Sequence, residues 1–292
     1  MDKRKGFTLI ELLVVISIIA LLMAILIPAL NAAKQMAAGA ACLSNQHSLA
    51  TAWFTYTIDS GGKLVDGSTV DEATWVSRPT SINGAILSNN WTTDDEKRGI
   101  ERGSLFPYTR DVDVYHCPGD KRYKRPPADT DTSSNNNAQN GAFRSYAITG
   151  CMNGECRTNQ NPDESIYNIE NYGQIKNPSG KIVFVEEDDP RGFNDRSWVI
   201  SAPDNFNAFN WIDRMAVWHN EKSTLGWADG HATMQRWVDR RTMLAVKLPT
   251  WDAWRNTLPK FGGRMGQAGN QDLIFMKRHY PHMGHWILDY TQ

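Results

Sequence analysis

Cysteine is scarce: 4 residues in 292. That is too few for a disulfide-dense scaffold, so the chain must fold on an apolar core. An excess of either charge is also missing. Lys and Arg number 31 against 32 Asp and Glu, a formal net charge of −1, with an isoelectric point of about 6.7. A balanced chain has no general counterion-release attraction to nucleic acid, so no nucleic-acid partner is expected. Repeated apolar spans are absent, and a mean hydropathy of −0.49 excludes a polytopic membrane protein. No internal repeat is visible, and the length suits one large domain or two small ones. What remains is an ordinary folding composition, with 41% hydrophobic and 22% charged residues.

One apolar run breaks this evenness. From Phe7 to Leu30 the only charge is Glu11. As a helix these residues rise ~36 Å, enough to cross a hydrocarbon core of about 30 Å. Lys3, Arg4 and Lys5 precede the run, and the next basic residue is Lys34. That asymmetry places the N-terminus in the cytoplasm and the bulk of the chain across the membrane. A secretory signal peptide would have a shorter apolar stretch of about 7–15 residues followed by a small-residue cleavage site. Here the small residue, Gly6, stands before the run. Glu11 is costly in lipid and calls for a partner. Cleavage after Gly6 would create one in the α-ammonium of Phe7, and snorkelling to the interface is the alternative.

Lys5-Gly6-Phe7-Thr8-Leu9-Ile10-Glu11 resembles the class III signal of type IV prepilins and pseudopilins. The resemblance covers about 25 residues and is specific: basic leader, Gly-Phe-Thr-Leu-Ile-Glu, uninterrupted apolar run. It implies that a prepilin peptidase removes residues 1–6 and that Phe7 becomes N-methylated. It implies also that Glu11 sets register against a neighbour's Phe7 amine during assembly, and that Pro28 bends or locally melts the helix. Loss of Asp2, Lys3, Arg4 and Lys5 would take the net charge to −3.

The rest of the chain divides on pattern. Residues 31–59 continue the helix with amphipathic spacing through Ala33, Ala37, Ala40, Ala41, Leu43, Ala50, Trp53, Phe54 and Ile58, and Gly61-Gly62 ends it. Residues 60–292 form a head of a size reasonable for one domain. Lys181–Glu186 is the clearest strand. Ala216–His219, Ser223–Ala228 and His231–Trp237 read as short strands, with Asp229-Gly230 as a hairpin turn. Arg240–Leu248 reads as a short helix and Pro126–Gly141 as an exposed loop. The Gly262–Gly269 stretch lacks the strand–turn–helix context of a phosphate site. His219, nine residues, then Asp229-Gly230 resembles the H-x9-D-G pattern of a pilin-like family that carries the same N-terminal signal. Cys42-Leu43-Ser44-Asn45, His116-Cys117-Pro118-Gly119-Asp120 and Ser145-Tyr146-Ala147-Ile148 fit the same family. The expected fold is α+β and pilin-like, a long N-terminal helix packed on an antiparallel sheet.

Several side chains in the head carry candidate chemistry beside a structural reading. His219, Asp229 and His231 have the residue types of a divalent-metal site, or else shape the turn and bond to backbone. Glu186, Glu187, Asp188 and Asp189, with Asp195 nearby, concentrate oxygen ligands suited to Ca2+, or form a solvated loop. His279, His282 and His285 are interrupted by Pro281, which prevents a helix that would align them for zinc. Cys151 and Cys156 flank a turn-like Met-Asn-Gly-Glu, favouring a 151–156 disulfide with 42–117, and fully reduced cysteines are the alternative. Eleven tryptophans form a core, or a face for polysaccharide or protein.

No nucleophile–base or paired-acid constellation points to an enzyme. The expectation is a structural subunit of a type IV pilus-like or type II secretion pseudopilus-like filament. Its partners are prepilin peptidase, copies of itself or other pilins, membrane lipid and the inner-membrane assembly machinery. It is expected to sit in a bacterial inner membrane with its head periplasmic, then in a filament. The alternative is a membrane-tethered, Trp-rich binding module that uses the leader for export.

Overall fold

The computed structural model describes residues 8–88, 90–124, 142–154, 168–189, 193–194, 196–200, 211–257 and 268–281. Helix α1 runs unbroken from Leu9 to Asp59. Its apolar first half gives way to a stripe of buried residues at helical spacing: Gly39, Cys42, Gln46, Leu49, Ala50, Trp53 and Thr57. Ser60 caps its end, followed by Gly61 and Gly62 at positive φ. Helix α1 passes through Pro28 without interruption. Losing one backbone donor leaves the turns on either side hydrogen-bonded.

Four antiparallel strands lie in sequence order across the sheet: β1 (Tyr146–Ile148), β2 (Ile182–Glu186), β3 (Lys222–Trp227) and β4 (Ala232–Arg236). β1, β2 and β3 alternate between two buried faces. Tyr146, Ile148 and Phe184 join the core under α1, while Ala147, Val185 and Leu225 join the core on the opposite face. Pairing slips between Ile182 and Phe184. This bulge gives β2 one extra residue, so the adjacent Val183 and Phe184 fall in the same core. The Asp229-Gly230 turn joins β3 to β4, with Gly230 at positive φ.

Ala216–His219 is not a strand, against the sequence expectation. Residues 218–220 turn, Asn220 and Glu221 are at positive φ, and the Ser223 hydroxyl donates to the Ala216 carbonyl across the turn. Short helices complete the head: α2 (Thr93–Glu101), α3 (Phe106–Thr109), α4 (Arg240–Ala245), α5 (Trp251–Thr257) and α6 (Gln271–His279). Leu273 and Met276 of α6 and Trp254 of α5 pack on the sheet face away from α1. The Pro126–Gly141 loop lies outside the described residues.

Candidate functional site

The N-terminal half of α1 carries no partner in the isolated chain. Residues 8–37 are all exposed, and sixteen large apolar side chains from Leu9 to Leu30 are uncovered. Burying each would gain about 1.5–3 kcal/mol, so the strip represents tens of kcal/mol of unsatisfied apolar surface. By length and composition α1 can cross a membrane, lying near the N-terminus.

Glu11 sits at the start of this strip, and its carboxylate is not solitary. Oε2 accepts from the Thr8 amide at 2.9 Å and the Thr8 hydroxyl at 2.8 Å, while the Glu11 amide donates to Thr8 Oγ1 at 3.3 Å. This capping box supplies a partner within the helix that the sequence reading missed. Thr8-x-x-Glu11 was its visible signal. Gly6 and Phe7 lie outside the described residues.

The second half of α1 is fastened to the head along β3. Gln46 Nε2 donates to the Thr224 carbonyl at 3.2 Å. His47 Nδ1 donates to the Gly230 carbonyl at 2.9 Å, at the hairpin turn. Eight positions earlier, Gly39 lies against the His219 ring. The nine residues between His219 and Asp229 thus span β3, and both ends of that strand meet the same helix. Asn45 Nδ2 adds a bond to the His116 carbonyl at 2.9 Å. The strand runs close to the helix at Gly226, where a Cβ would meet Gln46 Oε1 at 2.9 Å and the Ala50 Cβ at 3.4 Å.

A buried cluster of side chains closes the seam. Cys42 of α1 and Cys117 are disulfide-bonded, with Cα atoms 5.2 Å apart. His219 Nε2 lies 3.2 Å from Cys117 Sγ and 3.1 Å from Glu186 Oε1. The Thr224 hydroxyl donates to the same carboxylate oxygen at 2.6 Å. Burial pushes the Glu186 carboxyl above its ordinary range, opposed by His219 and Thr224. Cys151 is also disulfide-bonded, and Cys156 lies outside the described residues.

The metal-site expectations are redistributed. His219 precedes β3 and Asp229 follows it, so the two are at opposite ends of the strand and share no ion. Asp229 pairs instead with His231 at the exposed turn, and the His231 ring stacks on Trp227 at 5.2 Å. Of the carboxylates expected to gather around Ca2+, Glu186 at the end of β2 turns away from the three that follow it, which lie among arginines. Glu186 turns to His219 and Thr224. Glu187 accepts from Asn194 at 2.6 Å. Asp188 pairs with Arg214 at 2.5 Å and Arg122 at 3.8 Å. Asp189 is buried, and Asp195 lies outside the described residues. Guanidinium groups thus stand beside Asp188 where a metal ion was expected. His279 Nδ1 donates to the Gly180 carbonyl at 3.0 Å, and His282 and His285 lie outside the described residues. Of the nine tryptophans whose side chains are described, eight are buried and Trp218 is half-buried. They build cores; they do not form an exposed binding face.

Residues 1–27 match the prokaryotic N-terminal methylation motif. The chain is 33% identical over 116 residues to the Type IV wide pilus major component PilA4 of Thermus thermophilus, covering 39% of this chain and 88% of that protein. No solved structure matches. A long apolar N-terminal helix, an antiparallel head and this signal define a prepilin-like, pilus-type subunit. The chain belongs to the type IV pilin family.

Proposed function

We propose that this protein is a structural subunit of a type IV pilus-like filament, built by packing residues 7–30 of many copies into a common core. The observation that carries this reading is the uncovered strip from Leu9 to Leu30, projecting from a head that buries eight of its nine described tryptophans. Lipid covers the strip before assembly, and neighbouring helices cover it afterwards. A prepilin peptidase removes residues 1–6 and the new Phe7 amine is methylated. The subunit waits in the inner membrane, N-terminus cytoplasmic and head periplasmic, until the assembly machinery extracts it. Glu11 then pairs with the Phe7 amine of a neighbour. The likeness to a pilus component supports a pilus over a secretion pseudopilus. Burial of eight of the nine described tryptophans favours the filament subunit over the tethered, Trp-rich binding module.

The test is fractionation of the native cell. Shear-released filaments should contain this chain, with an N-terminus at Phe7 carrying a methyl group. A mature N-terminus beyond Leu30, or a processed protein found only in membranes, would overturn the assignment.

A further inference from the structure

We propose that the Cys42–Cys117 disulfide occupies the place of a zinc site, which forms from Cys42, Cys117, His219 and Glu186 when the cysteines are reduced. Among the described residues this is the group of His, Cys and acidic side chains whose donor atoms converge, all within 4.8 Å of one another. All four residues are buried. They come from different parts of the chain: α1, the segment before Pro118, the end of β2 and the turn before β3.

Geometry and donor chemistry agree on the ion. A tetrahedral zinc with bonds of about 2.0–2.3 Å sets its ligands about 3.2–3.8 Å apart. His219 Nε2 already stands 3.2 Å from Cys117 Sγ and 3.1 Å from Glu186 Oε1. Breaking the disulfide frees both sulfurs to separate to about 3.8 Å by side-chain rotation, the spacing a shared zinc requires. Two thiolates, an imidazole and a carboxylate suit Zn2+ and are foreign to Ca2+ or Mg2+, which take oxygen ligands. Around them, the Gly119 amide donates to Cys117 Sγ at 3.3 Å and would stabilise a thiolate there. Thr224 orients the carboxylate. Glu186 Oε2 is buried with no hydrogen-bond partner. The neighbouring acidic residues Asp120 and Asp188 have arginines beside them, whereas Glu186 has only His219. A buried carboxylate with no arginine beside it and one oxygen without a hydrogen bond, next to two sulfurs, is a setting in which a divalent cation gains.

The chemistry balances with a dithiol reductant. Thiol–disulfide exchange moves two electrons and two protons from the dithiol to the two protein sulfurs, leaving the reductant as its own disulfide. Zn2+ then replaces the two thiol protons, which pass to solvent. Oxidation reverses both steps and expels the ion. The seam between helix and head is therefore closed in either redox state, by metal or by disulfide.

The full chain in detergent, denatured, reduced and renatured under a non-chelating phosphine with Zn2+, should emerge from gel filtration with one zinc per chain. Co2+ in its place should show a thiolate-to-metal charge-transfer band. Glu186→Gln and His219→Gln should each weaken zinc binding by at least about tenfold, while the same variants renatured under oxidising conditions still form the 42–117 disulfide. Substoichiometric zinc in the wild type would overturn the proposal, as would equal zinc retention by Cys42→Ser. A reduced chain that regains no soluble fold even with zinc would also overturn it.

Discussion

In the single chain the Glu11 carboxylate is engaged by the Thr8 amide and hydroxyl before any neighbour arrives. In the proposed assembly two roles meet on one residue, capping a helix and pairing with a neighbour's amine. Their magnitudes differ: a cap is worth about 1 kcal/mol, whereas a buried ammonium left unpaired costs about 3–5 kcal/mol. Glu11→Gln separates them, because glutamine completes the same capping box without a charge. Glu11→Leu removes both. If the ion pair governs assembly, both variants insert and are processed, while shear-released filament falls to near zero in each and mature monomer accumulates in the membrane. Filament yield close to wild type for Glu11→Gln would assign the residue to capping alone.

At the scale of elements, α1 has an uncovered first half and a packed second half, and β3 is the strand that holds the second. Gly226 makes this contact possible: a side chain there would meet Gln46, Phe184 and Ala50, at 2.9, 3.2 and 3.4 Å from its Cβ. Gly226→Val should therefore destabilise the protein by about 1–3 kcal/mol, as overpacking does. Gly173→Ala, where a Cβ meets nothing within 4 Å, is the control and should leave stability within about 0.5 kcal/mol. Urea unfolding of the full chain in detergent, followed by tryptophan fluorescence, measures both. The same strand shows what was legible. The β3–β4 hairpin was visible because Asp-Gly fixes a turn locally. Ala216–His219 looked like a strand because its apolar spacing resembles one, but two positive-φ residues and a side-chain bond turn the chain there. Helix α2 was missed because it holds mostly charged residues, and its capping box, Thr92 with Asp95, carries the signal that periodicity lacks.

For the whole molecule, the sheet is covered on both faces, and buried charge is part of the cover. Glu96 accepts from the Phe143 and Arg144 amides, each at 2.8 Å. Arg122 pairs with Asp120 at 2.8 Å and is held protonated by its carboxylate neighbours despite burial. Glu187 lies in the same network. Burial and nearby Asp189 push its carboxyl up to about 7, against the pull of Arg144, Asn194 and Arg122. A raised carboxyl favours the folded state while protonated. Its contribution is full below the unfolded value of 4.5 and is lost as pH rises to about 7. Global stability should therefore fall across that window by an amount on the order of 3 kcal/mol from this group. Glu187→Gln, which keeps an acceptor for Asn194, should flatten the fall. Unfolding free energies of wild type and variant at the two ends of the window measure it, and parallel pH curves would exclude Glu187 as the source.

The sequence by itself determined the features that depend on nearby residues. The basic leader, the apolar run with its single Glu11, the switch to an amphipathic helix after Pro28, the Lys181–Glu186 strand and the Asp-Gly turn all depend on local composition and period. That is enough to recognise a pilin-like subunit, since the signal and the helix it opens are continuous in sequence. Tertiary structure alone decided which distant groups meet. His219 is ten positions from Asp229 in sequence, yet the strand between them holds them apart. It is 102 positions from Cys117 and 33 from Glu186, yet touches both. The acidic run from Glu186 to Asp189 is contiguous in sequence and divided in space: Glu186 turns to His219 and Thr224, while Glu187, Asp188 and Asp189 lie among Arg122, Arg144 and Arg214. Spacing along a chain fixes a local dihedral pattern. Convergence of side chains from separate elements depends on how those elements pack, and packing is a property of the whole core.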